Sequence, residues 1–180
     1  MKKALFMVFM LLFFFSALPC QAVEKGPEPL ALELTQKGWR YFNIGEIDTA
    51  LKRFRQAVIL DPDFAPGYYG VGYIYSLQKR HSLAIQYYRK AIALADPPDT
   101  HAYANLGLAL MMIGQKQEGL QVVQKALEID PDNGEAHISL ANYYCAEKDG
   151  TLARVHLEKA KAIGVQPDAR LIEEMKVECP

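Results

Sequence analysis

The strongest constraint on this chain is a phrase written four times at a nearly fixed distance. "ALKRFRQAVILDPD" begins at Ala50, "AIQYYRKAIALADP" at Ala84, "GLQVVQKALEIDPD" at Gly119, and a looser copy, "ARVHLEKAKAIGVQPD", at Ala153. The starts lie 34, 35 and 34 residues apart. A period of this length means one supersecondary unit stacked on copies of itself, each burying the face that its neighbour leaves open. Apolar residues recur at helical spacing within each unit, and the interruptions fall at matching places. Gly45, Lys79, Gly114 and Lys148 mark a tight turn inside each unit, whereas Pro62, Pro97 and Pro131 stop the second helix. The spacing predicts helix pairs at 31–44 with 47–60, 65–78 with 81–94, 100–113 with 116–129, and 134–147 with 150–163.

Ahead of each phrase stands a second shared pattern: Gly38 with Tyr41, Gly72 with Tyr75, Gly107 with Leu110, and Ala141 with Tyr144. Two helices pack closely only where small side chains let their axes approach, so these Gly and Ala positions are expected opposite Ala50, Ala84 and Ala153. Gly119 occupies the corresponding place in the third unit, where it is expected to cost its helix about 1 kcal/mol relative to alanine. "ADPPDT" adds one residue between the second and third units, and a slight irregularity of the stack is expected there.

Together these residues resemble the tetratricopeptide repeat (TPR). The first copy supplies Leu34, Gly38, Tyr41, Ala50, Phe54, Ala57 and Pro62, and the second Tyr68, Gly72, Tyr75, Ala84, Tyr88 and Ala91. The third supplies Tyr103, Leu106, Gly107, Ala126 and Pro131, and the fourth Leu140, Ala141, Tyr144, Ala153, Leu157 and Ala160. The resemblance covers Ala31 to Pro167. It implies an all-α, right-handed superhelical solenoid of four helix-turn-helix repeats at 31–64, 65–99, 100–133 and 134–167. Downstream, "DARLIEEMKVE" spaces Leu171, Met175 and Val177 as a helix does, and residues 168–180 read as a capping helix and tail over the open face of the last repeat.

The N-terminus points to export. Two lysines precede an uncharged run from Ala4 to Leu18, too short to cross a bilayer, which needs about 20 residues. Residues 1–22 read as a signal peptide and 23–30 as a linker. Cleavage after Ala22 would release a free protein into the periplasm. "ALPC" also resembles a bacterial lipobox, in which Cys20 would be lipidated and anchor the chain to the envelope membrane. Loss of Lys2 and Lys3 leaves 18 basic against 21 acidic residues, a net charge of −3. Charges of both signs are interspersed and no basic face appears, so a nucleic-acid partner is not expected. Cys145 and Cys179 remain in an oxidising compartment. Two readings stand: a disulfide, whose loop would stabilise by roughly 3–4 kcal/mol, or a buried thiol and a terminal one.

Chemistry is not indicated. His81, His101, His137 and His156 fall at different repeat positions with no HxxxH or CxxC spacing, and a metal site needs three or four converging ligands. The glycines of "GYYGVG" lie in a helix start rather than after a strand, and no nucleophile–base scaffold is visible. Neither an enzyme nor a cofactor or metal protein is expected.

The TPR resemblance implies a protein or peptide partner held in the concave groove lined by the first helix of each repeat. Its groove positions are the second, fifth, ninth, twelfth and thirteenth of each repeat. The first repeat presents Leu32, Thr35, Trp39, Phe42 and Asn43, and the second Pro66, Tyr69, Tyr73, Ser76 and Leu77. The third presents His101, Ala104, Leu108, Met111 and Met112, and the fourth Glu135, Ile138, Asn142, Cys145 and Ala146. Trp39, Phe42, Tyr69, Tyr73, Leu108, Met111, Met112 and Asn142 are the candidate site. Aromatics dominate binding hot spots and methionine adapts to varied apolar surfaces. Leu108 and Met112 are the first candidates for packing between repeats instead. The subgroup that clamps acidic chaperone tails uses Lys, Arg and Asn where this chain has Thr35, Trp39, Gly70, His101 and Asn105, so that activity is not expected. The resulting reading is an envelope interaction scaffold, similar in outline to the TPR lipoprotein pilotins of secretin assembly. The alternatives are a self-associating module and an accessory subunit of an envelope redox system using Cys145 and Cys179.

Overall fold

The computed structural model of the protein describes residues 29–166. The expected signal segment, Cys20, Cys179 and the capping helix lie outside the described residues. Eight helices follow one another: α1 Pro29–Asn43, α2 Ile47–Leu60, α3 Ala65–Leu77, α4 His81–Leu94, α5 Thr100–Met112, α6 Lys116–Ile129, α7 Gly134–Ala146 and α8 Gly150–Ile163. The chain is an all-α solenoid of four helical hairpins, with no strand among the described residues. The first helices end one residue earlier than the spacing predicts, and the described part of α1 includes Pro29 and Leu30, inside the stretch expected to be linker.

The turns obey the same logic in all four repeats. Gly45, Lys79, Gly114 and Lys148 have φ of 82°, 59°, 86° and 64°, the left-handed region that a helix needs to reverse within three residues. Between repeats, Asp99, Asn133 and, within the fourth, Asp149 accept hydrogen bonds from the N–H of the third residue on, capping α5, α7 and α8.

Each helix packs on its hairpin partner, each second helix on the next first helix, and first helices on one another. The backbones of second helices stay apart across the stack, bridged by side chains alone, as where Arg89 of α4 pairs with Glu118 of α6 at 2.7 Å. The first helices therefore form the tighter inner row, and the stack curves around them. This explains why α3, α5 and α7 are apolar nearly all round whereas α2, α4, α6 and α8 are amphipathic: the inner helices have neighbours on three sides.

Small residues sit where the axes meet. A Cβ at Gly72 would lie 2.9 Å from the Tyr88 ring, and one at Gly38 2.5 Å from the Phe54 ring. The expected penalty at Gly119 is corrected by the packing. A Cβ there would lie 2.6 Å from the Gly107 carbonyl oxygen, so the third hairpin brings two backbones into direct contact and needs glycine on both sides.

Cys145 is disulfide-bonded and 8% exposed; Cys179, its expected partner, lies outside the described residues. The histidines are less scattered than their sequence positions suggest. His137 and His156 meet across the fourth hairpin, Nδ1 to Nδ1 at 3.0 Å, and His137 Nε2 donates to the Pro131 carbonyl at 3.1 Å. Tyr144 stacks on His156 at 5.5 Å between ring centroids. Among the described residues no three His, Cys, Asp or Glu side chains converge as metal ligands.

Burial, then His137 and Lys159, push His156 down to about 4; burial also lowers His137. A histidine lowered in the folded state contributes stability that is complete above the unfolded value near 6.5 and lost as pH falls toward the folded one. The fourth hairpin is thus expected to lose about 1 kcal/mol between pH 7.5 and pH 5 from this imidazole, after discounting for its partial exposure. Urea midpoints of the wild type and His156→Gln at both pH values check this. The variant should lose clearly less on acidification, and equal losses would count against the buried neutral pair.

Candidate peptide-binding groove

The ninth and twelfth positions of the first repeat and the fifth and ninth of the second bring four rings together at one end of the inner row. Trp39 is the hub. Its ring centroid lies 5.8 Å from Phe42, 5.9 Å from Tyr69 and 5.5 Å from Tyr73, and Phe42 meets Tyr73 edge-on at 5.4 Å. Beneath them Trp39 also packs edge-on at 4.9 Å against Phe54, which is fully buried. All four surface rings are half-buried. Such edge and tilted contacts stabilise a rigid platform while leaving part of each ring open.

The phenols are held in place. Asn105 Nδ2 donates to Tyr69 Oη at 3.2 Å and to the His101 carbonyl at 3.0 Å. Burial raises Tyr69 and Tyr73 above the ordinary phenol value, and the negative charge of Glu135 adds to it in both. Glu135 is therefore close to the platform. Its carboxylate takes His101 Nδ1 at 3.2 Å, which lowers Glu135 and raises His101.

At the other end of the row Leu108, Met111, Met112 and Asn142 line a cleft of about 340 Å³ with Lys116, Tyr143 and Ala146. Met112 is 52% exposed, so it does not serve the packing role first considered for it; Leu108 is half-buried at the cleft wall. Asn142 spends its amide on the Ile138 carbonyl one turn back. Three positions counted toward the groove are corrected: Ala104 is 0%, Thr35 4% and Cys145 8% exposed, all packed inside. Counting repeat positions also missed Tyr143 and Lys116. Tyr143 follows a groove position and turns toward the cleft, while Lys116 reaches in from the start of α6 and pairs with Glu147 at 2.6 Å.

None of the positions where chaperone-tail binders carry a cation holds one. Thr35 is buried, Trp39 and Asn105 belong to the aromatic platform, and His101 is paired with a carboxylate.

Two family models of the tetratricopeptide repeat match the chain, over residues 35–100 and 100–133. Among curated proteins, it is similar to the type IV pilus assembly protein PilF of Pseudomonas aeruginosa, 38% identical over 61 residues, 34% of this chain and 24% of that protein. It is also similar to a CTR9 homolog of Arabidopsis thaliana, 30% identical over 104 residues, 58% of this chain and 10% of the relative. The chain thus spans under a third of the length of these relatives. Among solved structures, MamA superposes with a TM-score of 0.61 at 26% identity, covering 76% of this chain and 80% of that one. The first TPR of Spaghetti (RPAP3) bound to an HSP90 peptide superposes with the same TM-score at 27% identity, covering 66% and 94%.

Proposed function

Residues 35–133, more than half of the chain, are tetratricopeptide repeats, which places it in that family, and on this premise we propose that it is an envelope scaffold binding an apolar helix or extended peptide in its inner groove. The carrying observation is the half-open platform of Trp39, Phe42, Tyr69 and Tyr73 at one end of the inner row, with the Met111–Met112 cleft at the other. Four aromatic faces and two methionines offer the side chains from which hot spots are built, on rigid helices that need little ordering on binding. Repeats of this family hold protein or peptide partners, as the RPAP3 repeat holds its HSP90 peptide. The uncharged run at the N-terminus and the small residues after it support export, either as a periplasmic protein or anchored through Cys20.

Similarity to a pilus assembly protein favours a second, narrower reading in which the partner belongs to a pilus or secretin assembly. The redox-subunit alternative has less support, since Cys145 is buried and already bonded.

Affinity recovery from the envelope fraction tests the groove. Wild type and a Trp39→Ala, Tyr73→Ala variant serve as bait, with far-UV circular dichroism confirming equal helicity. The variant is expected to lose its specific partner at least tenfold, since two hot-spot aromatics cost about 2 kcal/mol or more each. Equal recovery by both baits would overturn the groove reading. A monomer by light scattering removes the self-association alternative, and a secretin or pilin subunit among the recovered partners selects the narrower one.

A further inference from the structure

Three tyrosines outside the groove positions each carry a cation from this chain. Arg53 lies 5.8 Å from the Tyr41 ring centroid, Arg80 4.9 Å from Tyr75 and Lys90 5.8 Å from Tyr68. These are the distances at which a ring quadrupole attracts positive charge. Tyr69 and Tyr73, inside the groove, have no such cation among the described residues. The twenty groove positions hold no lysine or arginine at all, and their single carboxylate is Glu135.

Charge at that place is lopsided. Glu135, Asp99 and Asp130 all act on His101, and Glu135 and Asp99 act on Tyr69, while the groove's own answer is one imidazole, His101, itself more than half exposed. Lys116, the cation that lines the cleft, is paired with Glu147.

We infer that the groove's occupant is a peptide segment bearing an arginine or lysine beside an apolar anchor, the cation resting on Tyr69 and Tyr73 and sharing the Glu135 carboxylate with His101 while the anchor enters the aromatic platform or the methionine cleft. The inference rests on the groove reading above. An acidic tail is the opposite fit: it would meet Glu135 with no lysine or arginine to offset the repulsion, and like charges at such distances cost rather than gain. Arginine suits the site best, because its planar guanidinium can stack on a phenol and fork onto a carboxylate together.

Panning a random dodecapeptide phage library on the full chain tests this, in parallel with Glu135→Gln and Tyr73→Ala. The expected selection is rich in Arg or Lys next to Leu, Phe, Trp or Met and poor in Asp and Glu. Glu135→Gln should lose the basic preference and keep the apolar one. In a titration followed by Trp39 emission, replacing the selected arginine by glutamine should weaken binding roughly five- to tenfold. The same arginine peptide should weaken between 50 and 300 mM salt, and its glutamine form should not.

Apolar enrichment with no charge preference, or with an acidic one, overturns the cation subsite and leaves the groove standing. Enrichment that Tyr73→Ala does not change, or none above bare plastic, overturns both. Selection of peptides matching this chain's own sequence would make a second copy the occupant and overturn the foreign-peptide form.

Discussion

Phe54→Ala is expected to lower stability by about 3–5 kcal/mol and to dismantle the aromatic end of the groove in the same step. Phe54 is fully exposed to protein and not at all to water. Its ring fills the space that side chains at Gly38 on α1 and Gly70 on α3 would otherwise take, so it wedges the first hairpin against the second. Trp39 leans on that ring from above at 4.9 Å. Removing it leaves a cavity bounded by two bare glycine backbones, which cannot close the gap with side chains of their own.

In a stack each repeat is held only by its neighbours, so damage at one end need not spread to the other. Trp39, the only tryptophan, lies in the first repeat and reports on it directly. In urea the Trp39 emission of the variant is therefore expected to shift red well before the helical signal falls. Phe54→Leu, which keeps most of the volume, should lose less than half as much. An alanine variant within about 1 kcal/mol of wild type and with unchanged Trp39 emission would show that the platform stands without its floor.

This dependence marks the border of what could be read from residues alone. The helices were legible because three independent signals repeat with one period: the turn residues, the prolines and the small residues at the crossings. The rings of Trp39, Phe42, Tyr69 and Tyr73 could be placed in the groove by counting. That Trp39 is also packed on Phe54 could not, because it depends on Gly38 and Gly70 being empty at the same ring. Thr35 and Cys145 show the limit of counting: the same repeat positions are inside or outside according to the size of the neighbouring side chains. The histidine pair had a signal that was available. The turn that sets Ala141 opposite Ala153 also sets residue 137 beside 156, so hairpin symmetry alone brings them together. Tyr143 and Lys116 carried no such signal, since they reach the cleft by side-chain length rather than by position.

Gly119→Ala separates local propensity from packing most cleanly, because the two predict opposite signs. In an isolated helix alanine is better than glycine by about 1 kcal/mol. In the stack the new methyl carbon would lie 2.6 Å from the Gly107 carbonyl oxygen and 2.7 Å from Met111 Cγ, and Gly107 in turn faces the Gly119 carbonyl. Met111 can turn aside; a carbonyl within α5 cannot without moving the helix. The α5–α6 pair must then part, pulling Val123, fully buried between them, out of contact. Overpacking of this kind costs typically 1–3 kcal/mol, so a net loss of up to about 2 kcal/mol is expected where propensity alone gives a gain. The urea midpoint of the helical signal decides the sign. Because Met111 lines the cleft, the same variant should also weaken any peptide seated there while leaving the Trp39 platform intact. A midpoint raised by the substitution would mean that α5 and α6 do not approach as closely as the two glycines require.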